Sequence, residues 1–565
     1  MALLDKPKLI SISAGRKYQS FRRAMRRGVT ALTGFSASVP DQISIAPRDL
    51  KTADPLLVQE FYQGRYMLGG QVQETIGTSP FMLENASSTW LRELHSFGWL
   101  RHYSAQKEGL AVTNAQAMLS DWLENLHPSQ EKIAWDMETT SERLISWLCH
   151  SDVLVTGVTH DYYRMFMRAL GAHVRFLKRN APTATIGIPQ LMSYLALSYA
   201  SICHSNQVNA LQFARDRLGK ELDSQILSDG GHISRNPQAI VKLLALLLPF
   251  RQACITVGIE PPKAVINAID RMWPALRFFR MGDGNLARFN GSGVTESDLL
   301  TTLLRYDDMQ GEPIRNATQS GYHKLILGQG IALLDVGDAP KGELSSHAHA
   351  GCLAFEFSHG QNCIFVNCGT PSVVQGNGTA VWRSTAAHNT AVLNETSSCR
   401  FENRSDSSGR MNGQILTPKL GVETEQTEIR TAVQVKASHS GYERDFGVKH
   451  QRTLLLEENG KKLSGNDWFT APDKSDLRYA IKDDVKVHFH LHPDVLIKEE
   501  IGKENAFILA LSSGEQWKFS CKEAKPHLEE SIFFSQLTGP GKTAQITIAI
   551  KAGKTPEVNW ILEKV

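Results

Sequence analysis

His347, His349 and His388 lie close along the chain. The first two belong to Ser346-His347-Ala348-His349-Ala350-Gly351-Cys352-Leu353-Ala354-Phe355-Glu356-Phe357, and the third to Ala387-His388-Asn389-Thr390. Between them runs Phe365-Val366-Asn367-Cys368-Gly369-Thr370. Imidazoles suit general acid–base transfer near neutral pH, and metal ligation through a neutral ring. The flanking residues read as strands, and on an extended strand His347 and His349 project from one face. A second polar cluster is Asp229-Gly230-Gly231-His232-Ile233-Ser234-Arg235-Asn236-Pro237. Arg235 can clamp a carboxylate bidentately, Asn236 can donate to it, and His232 can act as base. Read locally, Asp229-Gly230-Gly231 is turn chemistry and Arg235 pairs nearby. His347, His232, Arg235 and Asn236 are the candidate catalytic residues.

The elements that carry these clusters differ in period. Segments 139–150, 189–203, 207–227, 237–257 and 262–280 repeat apolar residues at helical spacing, and Pro237 suits a first helical turn. Consecutive helices with short joints predict paired hairpins in a bundle or toroid. From about 324 onward short strands alternate with Gly, Asp and Pro turns, as in Gly330–Asp335 and Thr543–Ile550, predicting a large antiparallel sandwich. The predicted joint is 305–322. The fold class is therefore α+β multidomain: a basic leader over 1–45, an all-helical domain over 46–315 and an antiparallel β-sandwich over 316–565.

A chain of 565 residues is expected to form two or three domains. Its net charge of +3 argues against general nucleic-acid binding. No apolar run approaches the ~20 residues that span a bilayer. Arg16, Lys17, Arg22, Arg23, Arg26 and Arg27 crowd the N-terminus without a signal peptide's apolar core. They read as a solvated leader, or as a peripheral contact with a membrane surface or anionic polymer. The eight cysteines form no CxxC, several sit in apolar contexts, and a reducing cytoplasm is expected. Nothing in the sequence speaks to oligomeric state.

The His-x-His, the strand ending at Asn367-Cys368-Gly369 and the His388-Asn389-Thr390 together resemble the signature of the heparinase II/III-like polysaccharide lyases. The spacing from His347 through Phe355 to Asn367 fits without a gap, although Gly351 and Asn367 stand where that family usually has Asp. The segment from Asp229 resembles a family stretch running Asp-Gly, Glu, Ser-Pro and the catalytic Tyr. Matched from Asp229, those positions fall on Ser234, Asn236 and Ala239, so the tyrosine is missing. The resemblance implies an (α/α) toroid packed on a β-sandwich, proton transfer by His347, and a zinc ion among His349, Asn367 and His388. A neutral amide is a weak zinc ligand beside a carboxylate. Cys368, one residue on, points to the opposite strand face.

Trp99, Arg101 and His102 in a Trp-rich hairpin, with Tyr322 and Arg383, are the candidate substrate contacts. Most aromatics between Trp90 and Tyr103 are expected in the core, being spaced as an apolar stripe. Tyr322 and Tyr306, near the domain joint, are the phenols available to replace the absent base. His488, His490 and His492 alternate along one strand, a comb that could bind metal, but Pro493 and the neighbouring charges favour an exposed strand end.

The leading expectation is a lyase that cleaves a uronate-containing acidic polysaccharide or oligosaccharide by β-elimination in the interdomain cleft. It predicts a basic cleft with His347 and His232 within reach of one sugar. The alternative is a catalytically degenerate relative that binds anionic glycan without converging proton-transfer groups. A hydrolase would need paired carboxylates, for which Glu356 with Asp283 or Asp229 is the available set.

Overall fold

The computed structural model of the protein describes residues 42–565 except 76, 107–108, 205–207, 308–313, 373–380, 403–412, 418, 472–483, 500–504 and 554, together with Ser11 and Ala14. The side chains of 208–211 are also outside the described residues. The basic cluster Arg16 to Arg27, and with it the expected membrane contact, lies outside them.

Among the described residues from Leu56 to Leu304 the regular elements are helices, apart from one short hairpin, Arg65–Leu68 with Gln71–Glu74. Helices Met137–Cys149, Ile188–Cys203, Val208–Gln225, Gln238–Thr256 and Lys263–Phe278 fall within two residues of their predicted bounds. Helix Gln238–Thr256 is long and apolar enough to cross a membrane, yet Leu243, Leu244, Leu247 and Phe250 are buried against neighbouring helices. The Trp-rich hairpin is core, as its spacing predicted: Trp90, Phe97 and Tyr103 are buried. Fully buried Arg143 sits beside it. Its guanidinium donates to His95 O and Ala134 O, at or near the ends of helices Ser88–Ser96 and Pro128–Ala134, and stacks on Trp122 and Trp135. The negative ends of two helix dipoles compensate the charge.

From Asn316 the structure is antiparallel sheet. A five-stranded sheet runs in chain order from Asn316–Ala317 to Asn362–Phe365, beside sheets of eight and four strands. Val448–Glu457 alternates buried and half-buried positions along its whole length, the period of a one-sided core strand. The C-terminal strand Glu557–Lys564 inserts between Lys462–Thr470 and Gln516–Cys521. Gly465 is required beneath it, because a Cβ there would lie 2.1 Å from the Trp560 ring.

Buried polar side chains join the two halves. Arg288 pairs with the fully buried Glu356 at 3.2 Å. Lys324 Nζ donates to Phe278 O and Arg280 O at 2.7 Å, capping the end of helix Lys263–Phe278 from the sheet side.

Candidate functional site

A cavity of about 1370 Å³ opens between the halves, with Trp135, Glu138, Asn236 and Lys242 on the helical wall and His347 and Arg383 on the sheet wall. His347 is not on a strand. It follows the 3-10 turn Gly342–Ser346, and the strand begins only at Phe355. Arg383 explains the curl: its guanidinium donates to Ser345 O, Ala348 O and Gly413 O, and its own carbonyl accepts from Ala350 N. The two-residue alternation expected from the sequence is therefore lost. His347 is exposed in the cleft, whereas His349 is buried.

Asn236 is the other catalytic candidate that reaches the cleft. Its Oδ1 accepts from Gln238 N at the start of helix Gln238–Thr256, and its Nδ2 points toward Gly291. Gly291 has φ +96, and a Cβ there would stand 3.1 Å from Asn236 Nδ2 and 3.2 Å from His347 O. Backbone thus takes the place between Asn236 and His347 that a side chain would otherwise occupy.

Behind this point His349 and His388 form a directional chain. Gly291 N donates to His349 Nε2 at 3.1 Å, so His349 carries its hydrogen on Nδ1 and gives it to His388 Nε2 at 2.9 Å. His388 Nδ1 donates to Ser384 O at 2.7 Å. Burial lowers both imidazoles, His388 to about 4, so the pair is neutral near pH 7.

These residues do not fit zinc. Asn367 is fully buried with Oδ1 accepting from Asn389 N, which leaves its NH2 as an unpartnered donor where a metal needs a lone pair. A Cβ on Gly351 would lie 2.9 Å from His388 Cδ2, so no acid fits there beside this ring. Cys368, beyond the end of strand Asn362–Phe365, turns its Sγ to His490 Nδ1 and Ser531 Oγ. No group of three His, Cys, Asp or Glu among the described residues is placed to hold a metal.

Several sequence candidates take structural roles instead. Arg235, at φ +60, commits all five N–H donors across the domain joint, to Ser320 O, Gly321 O, Gly337 O, Asp338 O and the Asp335 carboxylate. None remains for a substrate carboxylate. His232 is buried, with Nδ1 accepting from Ser234 N and Nε2 facing Gln225 Oε1, and burial lowers it to about 4. It locks the turn and does not line the cleft. Tyr322 is fully buried, its OH bonded to Arg235 O and Asn290 Nδ2, and burial raises the phenol. Trp99 is 2% exposed and donates to Leu94 O. Arg101 and His102 bind the backbone at Thr52 and Asp54. Arg383 lines the cleft, but its donors shape the loop around His347.

The hydrolase pair is absent from the cleft lining as well. Glu356 is paired with Arg288, and Asp229 accepts from Ser320 N and Oγ. His488 and His490 are buried, not exposed, because their strand lies between two others in the four-stranded sheet.

The cleft is not basic. Asp49, Asp136, Glu138, Glu142, Glu296 and Glu343 are matched one for one by Arg48, Lys51, Arg92, Lys132, Lys242 and Arg383. Lys242 bridges Glu138 and Glu142. This triad escaped sequence reasoning, although a lone lysine in the apolar run Ala239-Ile240-Val241-Lys242-Leu243-Leu244 marks a helix face that cannot be plain core.

A helical toroid packed on antiparallel sheets, with a cleft between them, defines a polysaccharide-lyase-like architecture. Residues 309–561 match the family described as heparinase II/III-like, C-terminal. The structure resembles heparinase III with TM-score 0.73 at 14% identity, covering 94% of this chain and 88% of that one. Against heparan sulfate lyase HepC from Pedobacter heparinus the TM-score is 0.58 at 15% identity, covering 99% and 90%. FtsZ-localized protein C of Caulobacter vibrioides (strain NA1000 / CB15N) is 28% identical over 479 residues, which are 80% of this chain and 78% of that protein. Residues 309–561 thus form a heparinase II/III-like C-terminal domain, and the chain as a whole has the fold of heparinase III.

Proposed function

We propose that this protein is a catalytically degenerate member of its family that binds an acidic saccharide in the interdomain cleft. The observation that carries this reading is the dispersal of the elimination machinery. β-Elimination needs the uronate charge neutralised, a base for the adjacent C–H, and an acid at the leaving oxygen. Of the four candidate residues, His347 and Asn236 line the cleft, while Arg235 and His232 do not. The matched charges favour a sparsely charged glycan, with about one carboxylate per repeat, over a polysulfated one.

The relative named FtsZ-localized protein C supports a location at FtsZ for this chain too. The eight cysteines, all free thiols, fit the reducing cytoplasm expected from the sequence. A fluorescent fusion should colocalise with FtsZ, and a diffuse signal would refute that location.

The deciding experiment is ultraviolet absorbance during incubation with a panel of acidic glycans, beside calorimetric binding. Binding with a flat trace is expected. A lyase remains the second reading, favoured by the presence of Asn236 and His347 in the lining of one cleft. Growth of an unsaturated-uronate band, lost in His347→Ala, would establish it instead.

A further inference from the structure

Residues 42–54 cross the helical half as an extended strap with no helix or paired strand of their own. The strap is fastened at intervals. Ser44 N donates to Cys203 O at 2.8 Å, and Ile43 bridges His204. Asp49 Oδ2 lies 3.3 Å from His150 Nε2. Arg101 Nε donates to Thr52 O at 3.1 Å, and Asp54 N donates to His102 Nδ1 at 2.8 Å. Pro47 and Leu50, within the strap, are buried. Arg101 and His102, which from sequence pointed to substrate, are thus the clasp of this segment.

Between the fastenings, Arg48, Asp49 and Lys51 line the cleft. Arg48 and Lys51 are exposed, and Arg48 forms no hydrogen bond or ion pair with the described residues. Of the other cleft cations, Lys242 is held by two glutamates and Arg383 by three carbonyls.

We infer that the strap is part of the ligand site: Arg48 and Lys51 receive a carboxylate of the acidic saccharide, and occupancy holds the strap in place. This rests on the saccharide-binding reading of the cleft. Coupling must run both ways, since a ligand that binds only the fastened strap stabilises the fastening.

The test uses the full chain and a hyaluronan hexasaccharide, which carries one carboxylate per disaccharide. Arg48→Ala/Lys51→Ala should lose about tenfold in affinity, the scale of one or two charge-assisted hydrogen bonds. Trypsin cuts after Arg48 and Lys51, and the hexasaccharide should slow both cuts in the unaltered protein. Asp49→Asn separates the strap from simple charge. Removing a negative charge alone would raise affinity for an acid, whereas loosening the His150 fastening should lower affinity and speed cleavage. Binding unchanged in the double variant, with no protection from trypsin, overturns the strap while leaving the saccharide reading intact. No binding by the unaltered chain overturns both.

Discussion

His349 Nδ1 donates to His388 Nε2 across 2.9 Å, at the place where the family resemblance implies a zinc ion. Each ring nitrogen of the pair already has a partner: Gly291 N–H, the other imidazole, and Ser384 O. Protein grown with added zinc should therefore carry substoichiometric metal, and a chelator should leave its melting temperature unchanged. One zinc per chain, lost in His388→Ala, would overturn this. His388→Ala should instead cost about 1–3 kcal/mol in chemical denaturation, the penalty for stranding buried donors and acceptors.

Gly351→Asp would restore the acid of the family pattern but not a site. Its Cβ would meet His388 Cδ2 at 2.9 Å, and the ring is fixed by hydrogen bonds on both nitrogens. The expected outcome is a loss of about 1–3 kcal/mol from overpacking, read from the urea midpoint, without gain of zinc.

Arg235 separates a structural role from a substrate role. Arg235→Met leaves Asp335, 2% exposed, as a buried carboxylate without its guanidinium. Breaking such a pair costs about 3–5 kcal/mol. Denaturation should reveal that loss, while saccharide affinity of the still-folded protein stays near that of the unaltered chain. A selective loss of affinity at full stability would return Arg235 to the binding site.

Acid should destabilise the fold through its buried histidines. Burial lowers His102, His232 and His388 from the ordinary 6.5 to about 4, and His95 and His490 to about 3. Between those values and 6.5 the unfolded chain binds more protons than the folded one, so stability rises with pH there. Their contribution is complete above about pH 6.5 and is lost as pH falls toward 4 and 3. Urea midpoints should drop across that window, and His232→Gln should flatten the slope by removing a term of roughly 3 kcal/mol.

Charge matching in the cleft makes a prediction about ligand class. A hyaluronan oligosaccharide should bind more tightly than a heparin oligosaccharide of equal length, because clustered sulfates would face Glu138, Glu142 and Glu343 as well as the cations. Isothermal titration at matched ionic strength decides it.

The sequence by itself determined the architecture. Helical spacing placed helices such as Gln238–Thr256 within a residue or two, and closely spaced short runs such as Arg452–Leu455, which lies inside strand Val448–Glu457, pointed to the sandwich, because burying one face of each element is a local, periodic requirement. The His347 motif was also legible as a family pattern. What only the tertiary structure decided was which polar side chains face the cleft. Arg235 and His232 sit in a motif that reads as chemistry, yet carbonyls and carboxylates brought from Ser320, Asp335 and Gln225 absorb their donors. His347 and His349 part company because Arg383, far along the chain, curls their loop off the strand. A buried polar group must satisfy its hydrogen bonds wherever partners are found, and those partners are set by packing between distant segments, not by spacing along the chain.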